Sequence, residues 1–149
     1  MKSIFDPADN AELVDRINKL SATTPAIWGK MNAAQMMAHC QVNLNIAFGN
    51  SKRIISWIGI VFGDISKRRL LKVHQLDRHI PTFKQAEITD VRNFNEEKEK
   101  FIKLIKSGLI IGPQGLAKYP HPYFGTFKPE EWAQLNWLHL DHHLRQFGV

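Results

Sequence analysis

The segment 129–148 constrains the fold most, because its sequence carries the signals of a helix at both ends. Pro129 suits the first turn of a helix, and Glu130 and Glu131 favour the positive end of the helix dipole. Gly148 can terminate the helix. Apolar residues recur between these ends at helical spacing, which predicts one buried face. We therefore expect a helix from residue 129 to about residue 147.

Two histidines occupy the centre of that buried face. His139 and His143 are four residues apart, a spacing that places their Cβ atoms about 5–6 Å from each other on a helix. His142 projects onto the margin of the face, and Asp141 projects onto the opposite, polar side. Two neutral imidazoles at this spacing can bind one transition-metal ion. The alternative is a pair of buried histidines satisfied by hydrogen bonds, and the spacing alone leaves both open.

A third ligand is expected from a second helix, over residues 32–48. Asn32 and Gln35 form the pattern of a capping box at its start. His39 shares one face of this helix with apolar and amide side chains, and an unpaired imidazole is unfavourable there. We therefore predict that His39 is the third metal ligand, with a hydrogen-bonded core histidine as the alternative.

The remaining periodicity predicts an all-α fold, a four-helix bundle with one additional helical segment between the second and third core helices. The core helices are expected near residues 8–20, 32–48, 93–107 and 129–147. Asp6 and Pro7 are a cap and a first helical position for the first helix, and Gly108 is expected to end the third. Residues 79–89 are expected to be irregular or briefly extended.

The additional segment, residues 51–77, is apolar and basic. We expect it to be helical but broken near Gly59 and Gly63, and to add to the bundle rather than to form a separate domain. Its basic flanks leave a position on a membrane surface as the alternative.

Composition favours one globular domain over residues 1–149, because 44% of the residues are hydrophobic. The single cysteine, Cys40, excludes an internal disulfide and is expected to be a small core residue. It fits a reducing compartment, and the first residues lack an apolar signal core, so we expect a cytoplasmic protein. The apolar run 54–63 is too short to span a bilayer.

The net charge of +6 and the pI of about 9.6 raise the question of nucleic-acid binding. The basic residues are scattered, however, and those in 98–106 alternate with glutamates as on a solvated helix face. No helix-turn-helix, RNA-recognition or zinc-finger pattern is present. The sequence therefore disfavours a nucleic acid as partner.

A long loop from Leu109 to Lys128 holds a further histidine, His121, between two prolines. About twenty residues without regular structure is long for a compact domain, and such loops are often functional. We predict that the substrate enters beside this loop, that His121 or Tyr123 lines the entrance, and that His121 acts there as an acid or a base. A packed turn with aromatic anchors is the alternative.

These motifs together resemble the DUF1569 family. The resemblance covers nearly the whole chain and rests on WGKM at 28–31, QMMAH at 35–39, HPYFG at 121–125 and HxxxHxxQFG at 139–148. The family is grouped with the DinB/YfiT-like superfamily of four-helix bundles, which are regarded as metal-dependent enzymes. The resemblance implies one ligand on the second helix and two on the last, which correspond to His39, His139 and His143.

Relatives in that superfamily include thiol S-transferases and a mycothiol-dependent isomerase. The resemblance therefore implies a divalent transition metal, with zinc or nickel favoured, and a low-molecular-weight thiol as co-substrate. The expected activity is transfer to, or hydrolysis of, a small electrophile, and the expected partner is a small-molecule substrate. Amide side chains near the site could orient its ligands: Gln35, Asn43, Asn136 and Gln146. A non-catalytic metal-binding or structural bundle with a stress or sensor role is the alternative, and a homodimer is compatible with either.

Overall fold

A computed structural model shows an all-α protein in the part of the chain that it describes. It describes residues 2–51, 57–78, 80, 82–116 and 120–149, with the backbone alone for 57–62 and 64. These residues form five α-helices and no β-strand: α1 (Pro7–Asn18), α2 (Ala33–Ala47), α3 (Trp57–Leu70), α4 (Phe94–Ile111) and α5 (Pro129–Gln146). The prediction of an all-α fold is confirmed.

The helices begin where the sequence places their caps. The Asp6 carboxylate accepts hydrogen bonds from the backbone nitrogens of Ala8 and Asp9, at 2.9 and 3.0 Å, and starts α1. The capping box of α2 is present: the Gln35 backbone nitrogen donates to Asn32 Oδ1 at 2.9 Å, and the Asn32 nitrogen donates to Gln35 Oε1 at 3.0 Å. Local side-chain bonds of this kind satisfy the free N–H groups of the first turn.

The predicted end of α4 at Gly108 is wrong. The helix continues to Ile111 and ends at Gly112, whose φ of 63° requires a glycine. Gly108 lies inside the helix, where a Cβ atom would make an ordinary van der Waals contact with Cζ of Phe48 at 3.4 Å. An interior glycine costs a helix only about 1 kcal/mol, so the helix continues through it. The loop expected from residue 109 therefore begins at Gly112, and residues 117–119 in it lie outside the described residues.

The predicted break of the additional segment at Gly59 and Gly63 is also wrong, because the backbone of α3 is helical through both. Gly63 allows a close approach instead: a Cβ there would lie 2.9 Å from the backbone nitrogen of Gly125. The Lys67 ammonium donates to the Thr126 carbonyl at 2.6 Å. The α3 helix therefore packs on the loop that carries the predicted entrance residue.

Outside α3, the described residues that link α2 to α4 form no further α-helix. Residues 52–56, 79 and 81, which belong to the predicted segments 51–77 and 79–89, lie outside the described residues. Among the described residues of 71–93, one 3₁₀ turn, Lys84–Ala86, interrupts otherwise irregular backbone before α4. Among the described helices, none has the length and apolar character needed to cross a membrane.

The core lies between four of the helices, because α1 and α2 each pack against both α4 and α5. Its most deeply buried side chains include Ile4, Leu13, Ile17, Met36, Met37, Leu44, Phe101, Ile105, Trp132, Leu140 and Leu144. The α4 helix buries a single stripe: Glu97, Phe101, Ile105 and Gly108. The α5 helix, by contrast, buries twelve of its eighteen residues and has neighbours on every side.

Asp141, on the polar side of α5, is buried too, contrary to the pattern of the sequence. Asp141 is 2% exposed. The Arg16 guanidinium of α1 donates from Nη1 to Asp141 Oδ1 at 2.8 Å, and Nε of Arg145 lies 2.8 Å from Oδ2. This carboxylate therefore joins α1 to α5 on the side away from the histidines.

Candidate metal centre

Three histidines from two helices converge at the inner wall of a cavity. His39 on α2 and His139 and His143 on α5 each offer a ring nitrogen, and the three atoms lie within 4.8 Å of one another. Nε2 of His39 is 3.1 Å from Nε2 of His139. Two nitrogens bound to one zinc ion at about 2.0–2.1 Å are at most about 4.2 Å apart. That pair fits a shared ion as it stands, and the third ring needs only a small adjustment.

The ring of His39 is oriented by the main chain. Its Nδ1 lies 2.8 Å from the carbonyl oxygen of Ala86, which can only accept, so Nδ1 carries the proton and donates. Nε2 of His39 therefore has an unprotonated lone pair, which faces Nε2 of His139. Burial lowers the pKa of His39 more than this hydrogen bond raises it. The ring is therefore a neutral nitrogen donor at pH 7.

The ring of His143 is oriented in the same way by an amide. Nδ1 of His143 lies 2.8 Å from Oε1 of Gln146, while Nε2 of Gln146 donates to the Trp28 carbonyl at 2.7 Å. The second bond fixes the amide with its oxygen toward the histidine, so Nδ1 of His143 is the donor. Burial lowers the pKa of His143 to about 3. Gln146, expected as an orienting residue, makes that contact.

His139 differs from the other two, because its Nδ1 is buried and no hydrogen-bond partner for it is found among the described residues. Burial and the neighbouring histidines lower the pKa of His139 well below its ordinary value. Its Nε2 faces His39, and a single proton shared between the two rings would also explain that short distance. The donor set of three neutral imidazoles nevertheless suits zinc, nickel or another borderline transition metal.

A cavity of about 760 Å³ opens beside the cluster. Its walls are largely apolar and aromatic, and Lys30, Arg78 and Glu87 bring charge to it. His142 lines it as well, 8% exposed, with its ring 5.7 Å from that of Trp28. His142 is not part of the three-nitrogen convergence, in agreement with its marginal position on the helix. A cavity of this size can hold a small organic molecule.

His121 lies in the wall of the cavity with both ring nitrogens in hydrogen bonds. It is 5% exposed; Nε2 lies 3.3 Å from Oδ1 of Asn43, and Nδ1 accepts from the Tyr123 backbone nitrogen at 3.1 Å. Its ring stacks on Phe124 with centroids 4.8 Å apart. Burial lowers the pKa of His121 to about 3, so the ring is neutral at pH 7. These contacts favour the packed-turn interpretation, and the acid–base role remains a prediction.

Three other amides expected to orient the ligands are engaged elsewhere. Nδ2 of Asn43 donates to Oδ1 of Asn136 at 3.1 Å, and Asn136 donates to the Trp132 carbonyl at 2.9 Å. These two residues support His121 rather than the cluster. Gln35 caps α2 and donates to the carbonyl of Asp90.

Two contacts of the cluster escaped the sequence analysis. The Ala86 partner of His39 is a backbone carbonyl, 47 residues away along the chain, and no side-chain pattern reveals it. The strap formed by residues 27–29 was visible only as the WGKM motif. The backbones of Ile27 and Trp28 in this strap form hydrogen bonds with Gln146.

The comparison with protein families gives one match. The profile of a family described as "Protein of unknown function (DUF1569)" matches residues 5–148. A comparison with curated proteins and another with solved structures found no match.

Proposed function

The chain belongs to the DUF1569 family, and from that premise and the histidine cluster we propose a metal-dependent enzyme. It binds one divalent transition metal, zinc or nickel, through His39, His139 and His143. Its four core helices form a bundle of the DinB-like type. The reaction is thiol transfer to, or hydrolysis of, a small electrophile held in the adjoining cavity.

One observation carries this proposal: two of the three rings have their outer nitrogen fixed as a hydrogen-bond donor, so their inner nitrogen has an unprotonated lone pair directed toward the cluster. His39 is fixed by Ala86 and His143 by Gln146. Metal-binding histidines are commonly oriented in this way by a partner on the second nitrogen. His121 differs from His39 and His143, because both of its ring nitrogens form hydrogen bonds with groups outside the cluster.

The chemistry follows from the donor set and the cavity. A metal held by three protein ligands would keep one coordination position open. It would lower the pKa of a water or thiol bound at that position. The protein contributes neutral donors, since burial keeps the three imidazoles unprotonated at pH 7. Its largely apolar cavity walls limit access of bulk water to the reactants.

The first test is the metal content of protein purified without a histidine tag. We expect close to one zinc or nickel per chain by elemental analysis. The His143→Ala variant should lose this metal, whereas His142→Ala should retain most of it, since His142 lies on the same helix but outside the convergence. Metal-free wild type that does not bind added zinc, or equal loss in both variants, would contradict the proposed site.

Activity is a separate test. Metal-loaded protein should convert a small electrophile, with or without a thiol, and His143→Ala should not. Dependence of the rate on added thiol identifies transfer, and a rate independent of thiol identifies hydrolysis.

A second candidate is a bundle without turnover. The 3.1 Å contact between His39 and His139 favours it, because the two rings can share a hydrogen bond with no metal present. Stoichiometric metal without any turnover would indicate a metal-binding sensor or stress protein. Absence of metal binding would indicate a structural bundle.

The cellular setting belongs to the same proposal. We place the protein in the cytoplasm as one domain that acts on a small molecule, because its one thiol, Cys40, is fully buried and free. Fractionation of the source cells tests the compartment, and light scattering tests whether the chain forms a homodimer.

A further inference from the structure

We propose that the strap of residues 27–29 positions the metal ligand His143 by locking the Gln146 amide, so that Gly29 acts as a positioning residue for the site. This inference rests on the proposed function, because it assigns a role in metal affinity. It assigns a role at the metal site to the strap, which contributes no metal ligand.

The strap is joined to the end of α5 by the residue that orients His143. The Ile27 backbone nitrogen donates to the Gln146 carbonyl at 2.7 Å, and the Gln146 side chain donates to the Trp28 carbonyl at 2.7 Å. The same side chain accepts from Nδ1 of His143 at 2.8 Å. These hydrogen bonds fix the side-chain rotamer of Gln146 and the orientation of its amide, with the oxygen toward His143 and the nitrogen toward Trp28.

Gly29 makes this arrangement possible. Its φ is 81°, and a Cβ atom on it would lie 2.4 Å from Nε2 of Gln146. Contacts under 3.0 Å are essentially never made by a real Cβ, so a side chain at residue 29 would have to displace the amide. Displacement of the amide removes the acceptor that keeps the proton on Nδ1 of His143.

The consequence reaches the metal through the proton on His143. When Nδ1 carries the proton, the lone pair of Nε2 faces His39 and is ready to bind. A ring freed from Gln146 exchanges between its two tautomers and rotates, and only part of its population then offers the correct nitrogen. Loss of such an orienting partner typically weakens metal binding about 10–100-fold.

The chain offers a matched control for Gly29→Ala. Gly49, at the end of α2, has a φ of 72°, and a Cβ there would meet nothing within 4 Å. Gly29→Ala and Gly49→Ala therefore impose similar backbone strain, and only the first meets Gln146. Zinc affinity, measured by competition with a chromophoric chelator, should fall at least about tenfold in Gly29→Ala and stay within about twofold of wild type in Gly49→Ala.

The Gln146→Leu variant tests whether the effect passes through the amide. It should weaken zinc binding by a similar factor, and adding Gly29→Ala to it should change the affinity by less than about twofold, because the two residues act as one unit. The visible spectrum of the Co²⁺-loaded protein should change in Gly29→Ala and not in Gly49→Ala. Equal loss in both glycine variants, or full additivity with Gln146→Leu, would overturn the proposal.

A measurement on metal-free protein separates this inference from the proposed function. Long-range ¹H–¹⁵N spectra report which nitrogen of His143 is protonated. Wild type and Gly49→Ala should carry the proton on Nδ1, and Gly29→Ala and Gln146→Leu should not hold it there. Failure of wild type to bind zinc would sink the proposed function and with it the role in metal affinity, whereas an Nε2 proton in metal-free wild type that does bind zinc would sink the positioning role alone.

Discussion

The buried carboxylate of Asp141 offers the sharpest test of how α5 is held. We consider the replacement Asp141→Asn, which keeps the volume of the side chain and removes its charge. The side chain of Asp141 is 3% exposed, that of Arg16 is 13% exposed, and that of Arg145 is 44% exposed. The carboxylate thus has one partly buried partner and one that is largely solvated.

The expected cost follows from these exposures. Removing one member of a fully buried ion pair costs about 3–5 kcal/mol, because the other charge stays behind without compensation. The exposure of the two arginines reduces this, and we expect Asp141→Asn to lower the free energy of unfolding by about 2–4 kcal/mol. For a chain of this length that corresponds to a fall in melting temperature of about 5–15 °C.

Arg145→Gln is the matched comparison, since it removes the exposed partner of the same carboxylate. We expect a loss of at most about 1 kcal/mol there, with Arg16→Gln between the two. The assay is urea-induced unfolding of metal-free protein followed by circular dichroism. A loss below about 1 kcal/mol in Asp141→Asn, or an equal loss in Arg145→Gln, would refute the reasoning.

Three further outcomes are expected. His121→Ala should lower the free energy of unfolding by about 2–4 kcal/mol, because it removes a stacked ring with two buried hydrogen bonds, and should leave zinc affinity nearly unchanged; loss of turnover without loss of stability would instead support the acid–base role. Gly63→Ala should destabilise by about 1–3 kcal/mol, because its Cβ would meet the backbone of Gly125 at 2.9 Å, whereas Gly108→Ala should be close to neutral; melting temperatures compare them. Cys40, fully buried and with its thiol pKa raised by burial, should react with a disulfide reagent only upon unfolding, and rapid labelling of the native protein would contradict its core position.

The sequence was sufficient for the starts of the capped helices and for the histidine pair on one face of α5, because both depend on local chemistry. Caps such as Asp6 and Asn32 act over three residues, and the spacing of His139 and His143 follows from one helical turn. His39 could be inferred because a buried imidazole needs a partner.

The parts that sequence reasoning missed depend on long-range contacts. Asp141 looked solvated on a helical wheel because its partner Arg16 is 125 residues away along the chain. Gly63 looked like a helix breaker, because the backbone of Phe124 and Gly125 that makes a glycine necessary there comes from another segment. A helical wheel shows one helix without its neighbours, so it sorts residues by polarity alone. It cannot show that a distant segment pairs with a buried charge or packs closely against a glycine.

The contrast in burial between α4 and α5 has a consequence for mutational tolerance. In α4 the buried positions recur at the helical period, so a saturation scan of every position should show tolerance that rises and falls every three to four residues. In α5 twelve of eighteen positions are buried, and those on one side serve the histidine cluster while Asp141 on the other joins α1. Tolerance to substitution along α5 should therefore be low at nearly every position and should show no helical period. The last helix therefore has little freedom to change its sequence, and natural variation among relatives should concentrate on the exposed face of α4.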